Sequence, residues 1–120
     1  MPDQRFPRRL FSSGEDPDAR FSLANERTFL AWIRTALALL AGGVALEVLG
    51  LALHPGLRLT ASFLLIGAGI LASLQAWHGW FVTERALRHQ RPIPSSWSGA
   101  TVAALVCASG LCVLLSLVLA

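Results

Sequence analysis

The chain contains no lysine and no tyrosine, so its positive charge rests on ten arginines. Charged residues make up only 14% of the 120 positions and hydrophobic ones 54%. A soluble domain of this size carries about one quarter charged residues, so the balance argues against one. The two cysteines, Cys107 and Cys112, are five apart in an apolar run and do not form a CxxC pair. On a helix they point in different directions, which argues against an intrachain disulfide and leaves them as small buried or lipid-facing hydrophobes. No apolar core precedes residue 29, so residues 1–28 are not expected to be a cleavable signal peptide. There is no nucleophile–base pair and no metal-ligand cluster, so an enzyme is not expected, nor a cofactor, nor a nucleic-acid partner. Gly67–Gly69 follows no strand and reads as packing, not as a phosphate loop.

What is present is three apolar segments, spanning about 29–53, 59–82 and 97–120. Each reaches the roughly 20 residues that cross about 30 Å of hydrocarbon. A soluble helical bundle would need charges recurring at helical spacing on each helix, and the third segment has none between Trp97 and Ala120. The fold class expected is therefore an all-α membrane protein with three transmembrane helices over residues 22–120. Residues 1–21, rich in Pro, Arg, Asp, Ser and Gly, read as a mobile cytoplasmic tail. Ser22 is the expected N-cap of the first helix. Pro55-Gly56 supplies the first turn, stopping one helix before the next. The stretch 88–97 supplies a polar connection, with Ser95 or Ser96 capping the third helix.

Arginine placement predicts orientation. Arg5, Arg8, Arg9, Arg20 and Arg27 precede the first span, and Arg85, Arg88 and Arg91 separate the second from the third. Only Arg58 lies in the other connection. The positive-inside rule puts the N-terminus in the cytoplasm and the C-terminus outside. Trp32, Trp77, Trp80 and Trp97, with Phe29 and Phe81, fall at the cytoplasmic face, as an interfacial belt does. Close helix approach is expected at Ala38 and Gly42, at Ala68, Ala72 and Ala76, and at Gly99 and Ala103.

The polar residues within the spans are the candidate functional set. At about 1.5 Å rise per residue, Arg34 lies about 7 Å inward of Phe29. Gln75, His78 and Thr101 fall at similar depth and are expected in one polar layer with it. Arg27 and Arg34, seven apart, lie within about 20° on the helix surface. Two readings of Arg34 stand: it snorkels to the headgroups, or it faces a protein interior or aqueous cavity and receives an anion or carboxylate. Unpaired burial would cost about 2.5–3.5 kcal/mol on insertion scales. Arg27 has the same choice between lipid phosphate and an anion path. Glu47 is too short to snorkel. It is expected to be protonated, hydrogen-bonded to a neighbour such as Ser116, or in a wet cavity, with Arg58 and His54 as further partners. Its role is a structural interhelical bond or a transport or proton function.

The stretch LANERTFLAWIRTALAL, Leu23 to Leu39, resembles the opening of the small three-helix inner-membrane proteins of the YidH type, a domain family of unknown function. ERALRHQRPIP, Glu84 to Pro94, is similar to that family's basic connector. The resemblance covers about residues 20–120. The membrane domain of the eukaryotic vacuolar transporter chaperone complex is similar more broadly. Its three-helix units assemble in a ring and help pass polyphosphate, with basic residues lining the path. The resemblance implies a homo-oligomer in the inner (plasma) membrane, a ring of about five. Asn25, Glu26, Arg27 and Arg34 are the positions matching the motif. With first helices inward, Arg27 and Arg34 become stacked basic rings for an anion or polyanion, and Glu26 pairs with an arginine of its own or a neighbouring unit to hold it. The chain lacks the polymerase and phosphate-sensing domains of the eukaryotic complex, so polyphosphate synthesis is not implied. The alternative is a non-conducting membrane adaptor or chaperone subunit that binds another membrane protein.

Overall fold

The computed structural model describes residues 4–119. The first three residues of the expected tail and Ala120, the last residue of the expected third span, lie outside the described residues. The chain forms a short helix α1 (Arg8–Phe11) and three long ones, α2 (Ala19–Val48), α3 (Pro55–Arg88) and α4 (Ser98–Leu119). Each long helix is long and apolar enough to cross a membrane. The Cα trace extends 63 × 25 × 20 Å, about twice the thickness of a hydrocarbon core along its length.

Local chemistry sets the boundaries. α2 starts four residues earlier than expected: Asp18, not Ser22, is the N-cap, its carboxylate accepting from the Arg20 N–H at 2.9 Å. The Ser22 hydroxyl is drawn instead into a contact between helices. Pro55 does not end a helix. α2 has already stopped at Val48, with Gly50 at φ +59, and Pro55 begins α3 behind the His54 cap, where its missing N–H costs nothing. α3 continues through the polar stretch to Arg88 because no proline stops it before Pro92. It closes with Gln90 at φ +53, Gln90 N–H bonded to Leu87 O and Arg91 N–H to Ala86 O, the pair of bonds that ends a helix through a left-handed residue. At the start of α4 the Ser98 N–H donates to Ser96 Oγ at 3.3 Å.

α3 is the central helix and packs against both α2 and α4. Apart from the polar cluster at the end of the bundle where α2 begins, the buried residues of the long helices are small: Ala36 and Gly43 on α2; Ala61, Ser62, Ala68, Gly69, Ala72 and Ala76 on α3; Val102, Ser109 and Ser116 on α4. Large apolar side chains face outward, among them Leu30, Leu37, Phe63, Ile70, Leu111 and Leu115. This is the reverse of a soluble bundle and suits lipid surroundings, where close packing of backbones, not burial of large side chains, joins helices. The expected small residues of α3 are the ones used. On α2, Ala36 and Gly43 replace Ala38 and Gly42, and on α4 Gly99 and Ala103 stay exposed. The contact face of α2 is fixed by where Asn25 is anchored, and Ala36 and Gly43 share that face.

The tail has a defined path from residue 4 onward. Leu10 is buried, and the chain from Phe11 to Asp16 wraps the end of α3.

Candidate functional site

At the end of the bundle where α2 begins, polar groups on α2 and α3 interlock. Ser22 and Asn25 are one helical turn apart on α2. The Ser22 hydroxyl donates to Glu84 Oε1 at 2.8 Å, and Asn25 Nδ2 donates to Glu84 Oε2 at 3.2 Å and to Trp80 O at 3.0 Å. Asn25 and Glu84 are buried. The next residue, Glu26, accepts from Trp80 Nε1 at 3.1 Å. Glu26 therefore holds a tryptophan, and among the described residues of this one chain it pairs with no arginine. Trp80 also stacks on Trp77, with centroids 5.4 Å apart.

Arg27 and Arg34 take no part in this lock. Both are exposed, and among the described residues neither has a hydrogen-bond or ion-pair partner. The reason is helical phase. Arg34 lies nine positions from both Asn25 and Gly43, about two and a half turns, so it points away from the α3-facing side. Arg27 is nine positions from Ala36 and does the same. Arg34 is thus not brought together with Gln75 and His78, and the single polar layer does not form. Gln75 accepts from the Ser98 hydroxyl at 2.7 Å, tying α4 to α3. His78 is exposed and lines, with Gln75 and Trp97, a separate cavity of about 360 Å³. The Thr101 hydroxyl donates to Trp97 O, just before its own helix, at 3.4 Å.

The outward face of α2 has a regular pattern. Leu23, Leu30, Leu37 and Val44 recur every seven residues and are 51–63% exposed. Arg27, Arg34, Ala41 and Val48 interleave with them, giving alternate steps of three and four, the spacing of a coiled-coil seam. Beside it, Arg27 stands at the rim of a cleft of about 470 Å³ between α2 and α4, bounded by Ala31, Thr35 and Gly99.

Glu47 lies at the other end of the bundle. Its Oε1 accepts from the Ser62 hydroxyl at 3.3 Å and stands 3.4 Å from Arg58 Nε. The Nε contact is an ion pair without hydrogen-bond geometry. Arg58 also donates from Nη1 to Leu51 O at 2.9 Å. Of the expected partners Glu47 takes Arg58, while Ser116 bonds to His54 O at 3.3 Å instead.

The residues that sequence reasoning missed are Ser22, Trp80, Glu84 and Arg88. The signal for Ser22 was its spacing of three from Asn25 on a helix otherwise apolar on that face. Nothing local marked Glu84 as a buried partner.

The family model described as "Domain of unknown function (DUF202)" matches residues 20–86, the part holding the Asn25–Glu84 lock and the α2 seam. The chain belongs to the DUF202 family. It is similar to the inner membrane protein YidH of Escherichia coli strain K12, 49% identical over 83 residues, 68% of this chain and 71% of the relative. It is also similar to the uncharacterized protein Rv2272 of Mycobacterium tuberculosis, 44% identical over 106 residues, 88% of this chain and 86% of the relative. No solved structure matches. With three membrane-length apolar helices and the likeness to YidH, this DUF202 chain is a multi-pass protein of the inner (plasma) membrane.

Proposed function

We propose that the protein self-associates through the outward face of α2, and that the assembly gives anions a path lined by Arg27 and Arg34. The observation behind this reading is the seam itself. It repeats every seven residues over most of a membrane-spanning helix, faces away from the protein's own α3, and carries two arginines that have no partner among the described residues. A heptad seam is made to meet other helices. An arginine inside a span is costly unless it meets water, an anion or a partner. A ring of α2 helices meets both requirements: leucines pack between neighbours, and the two arginines form stacked basic rings that replace part of an anion's hydration.

The basic end of the bundle lies in the cytoplasm by the positive-inside rule, with the C-terminus outside. The broader family likeness to the vacuolar transporter chaperone membrane domain suggests a ring of about five and a polyanion such as polyphosphate as ligand. Transport, not catalysis, is the activity. Asn25, Glu26, Glu84 and Trp80 hold α2 against α3 and so set the direction in which Arg27 and Arg34 point. Gln75 secures α4, His78 borders its own cavity, and Glu47 ties the far end through Arg58.

The test is the mass of the purified assembly in lipid discs by native mass spectrometry, followed by anion flux into liposomes. One multimer of fixed stoichiometry and a loss of flux of tenfold or more in Arg34→Ala are expected. A monomer across detergents and discs, or unchanged flux in the variant, rejects the path. Crosslinking from position 34 to a different protein instead of a second copy would favour the adaptor.

A further inference from the structure

The arginines around the end of α3 do different work. Arg88 is buried and fully engaged. Its guanidinium donates to Ser13 O at 2.8 Å, to Phe11 O at 2.9 Å and to Asp16 Oδ1 at 2.7 Å, and its own carbonyl accepts from the Glu15 N–H at 3.0 Å. Gly14, at φ +62, passes so close to the Arg88 carbonyl that a Cβ there would collide with it. The tail is thereby held in one register on α3, with Leu10 buried beneath it.

That register carries Arg9 to Arg85 and His89. The three line one cavity of about 400 Å³ whose other walls are Leu10, Ser13 and Phe81. Among the described residues the side chains of Arg9, Arg85 and His89 have no hydrogen-bond or ion-pair partner, and the cavity lining contains no carboxylate. The neighbouring cavities differ. One holds Arg88 and Arg91 beside Glu15, Asp16 and Asp18, and the other holds Arg5 and Arg88 beside Asp16, Glu26 and Glu84. The negative end of the α3 dipole accounts for Arg85 on its own. It does not account for Arg9, which is brought in from the far end of the chain.

Two guanidinium forks and an imidazole N–H, gathered without a counter-charge, match the oxygens of a phosphoryl group. We propose that Arg9, Arg85 and His89 form a phosphate-binding site, completed only when the tail is docked. The ligand's phosphoryl group belongs to an anionic phospholipid or to a soluble phosphate. The site shares no residue with the α2 seam and stands or falls separately from it.

The experiment uses the full chain in lipid discs. One arm titrates inorganic pyrophosphate into protein in phosphatidylcholine discs by calorimetry. The other counts phosphatidylglycerol molecules retained from mixed discs by native mass spectrometry. Binding of at least one probe is expected, and the probe that binds identifies the source. Arg85→Gln and Arg9→Gln should each weaken that binding tenfold or more. Arg20→Gln, which removes a surface arginine paired with Asp18, should leave it unchanged. Gly14→Ala, which undocks the tail while sparing all three ligands, should reproduce the loss of Arg9→Gln. Binding of neither probe, equal effects of the three arginine variants, or full binding in Gly14→Ala would overturn the proposal.

Discussion

Asn25 shows how one side chain can orient a helix. It is buried and spends its amide on a carboxylate oxygen of Glu84 and on Trp80 O. Adjacent residues on a helix are about 100° apart, so fixing Asn25 toward α3 sends Arg27 to the opposite side. Asn25→Ala strips two acceptors of a partner at once and is expected to cost roughly 1–3 kcal/mol. Thermal unfolding in detergent should show it as a lowered Tm. An unchanged Tm, with Ser22→Ala also silent, would mean the lock contributes nothing to stability.

At the scale of the element, α2 has two faces with opposite chemistry. Its inner face meets α3 through Gly43 and Ala36. A Cβ on Gly43 would come within 2.6 Å of Ile66 Cγ1 and 2.9 Å of Ser62 O, while one on Gly42 would find only Leu65 Cδ1 at 3.8 Å. Gly43→Ala is therefore expected to destabilise by about 1–3 kcal/mol, the usual cost of overpacking. Gly42→Ala is expected to be neutral or slightly stabilising, because alanine favours the helix. Equal behaviour of the two variants in thermal unfolding would contradict the α2–α3 register. The outer face, with Leu30, Leu37, Arg27 and Arg34, has no such contact, and the pair of variants leaves it unaltered.

At the scale of the whole molecule, the tail and the bundle act on each other through Asp16. Hydrogen bonds from Arg5 and then from Arg88 hold its carboxyl below the usual carboxylate range. A depressed acid stabilises the docked state fully above its ordinary pKa, about 3.9, and loses that contribution as pH falls through the lower, docked value. Docking should accordingly be insensitive to pH near neutrality and weaken only in strong acid. Phe6 lies against Trp77 and Phe11 against Trp80, so tryptophan fluorescence in a Trp32→Phe, Trp97→Phe, Glu26→Gln background, which removes the carboxylate bonded to Trp80 Nε1, reports the contact. Asp16→Asn should abolish the acid transition, though the Phe11 and Ser13 carbonyls still hold Arg88. A transition near neutral pH, or one that survives Asp16→Asn, would rule out this linkage.

The sequence by itself determined the all-helical class, the three membrane-length helices, the approximate places of the two connections, and the small residues of α3. Length, hydropathy and glycine–proline placement are local properties, and lipid leaves a spanning chain no alternative to a helix or a closed barrel. It also singled out Arg27 and Arg34, because charged groups in an apolar run are conspicuous, while Asn25 and Glu26 were marked by the family resemblance. Only the tertiary structure decided which of these look inward. Both Ala38–Gly42 and Ala36–Gly43 offer α2 a smooth contact strip, and the choice depends on Glu84, 59 residues beyond Asn25. The same is true of the tail. Its composition has no period and predicts mobility, yet Gly14 and Arg88 fit each other across 74 positions, and no local pattern encodes a fit between distant segments.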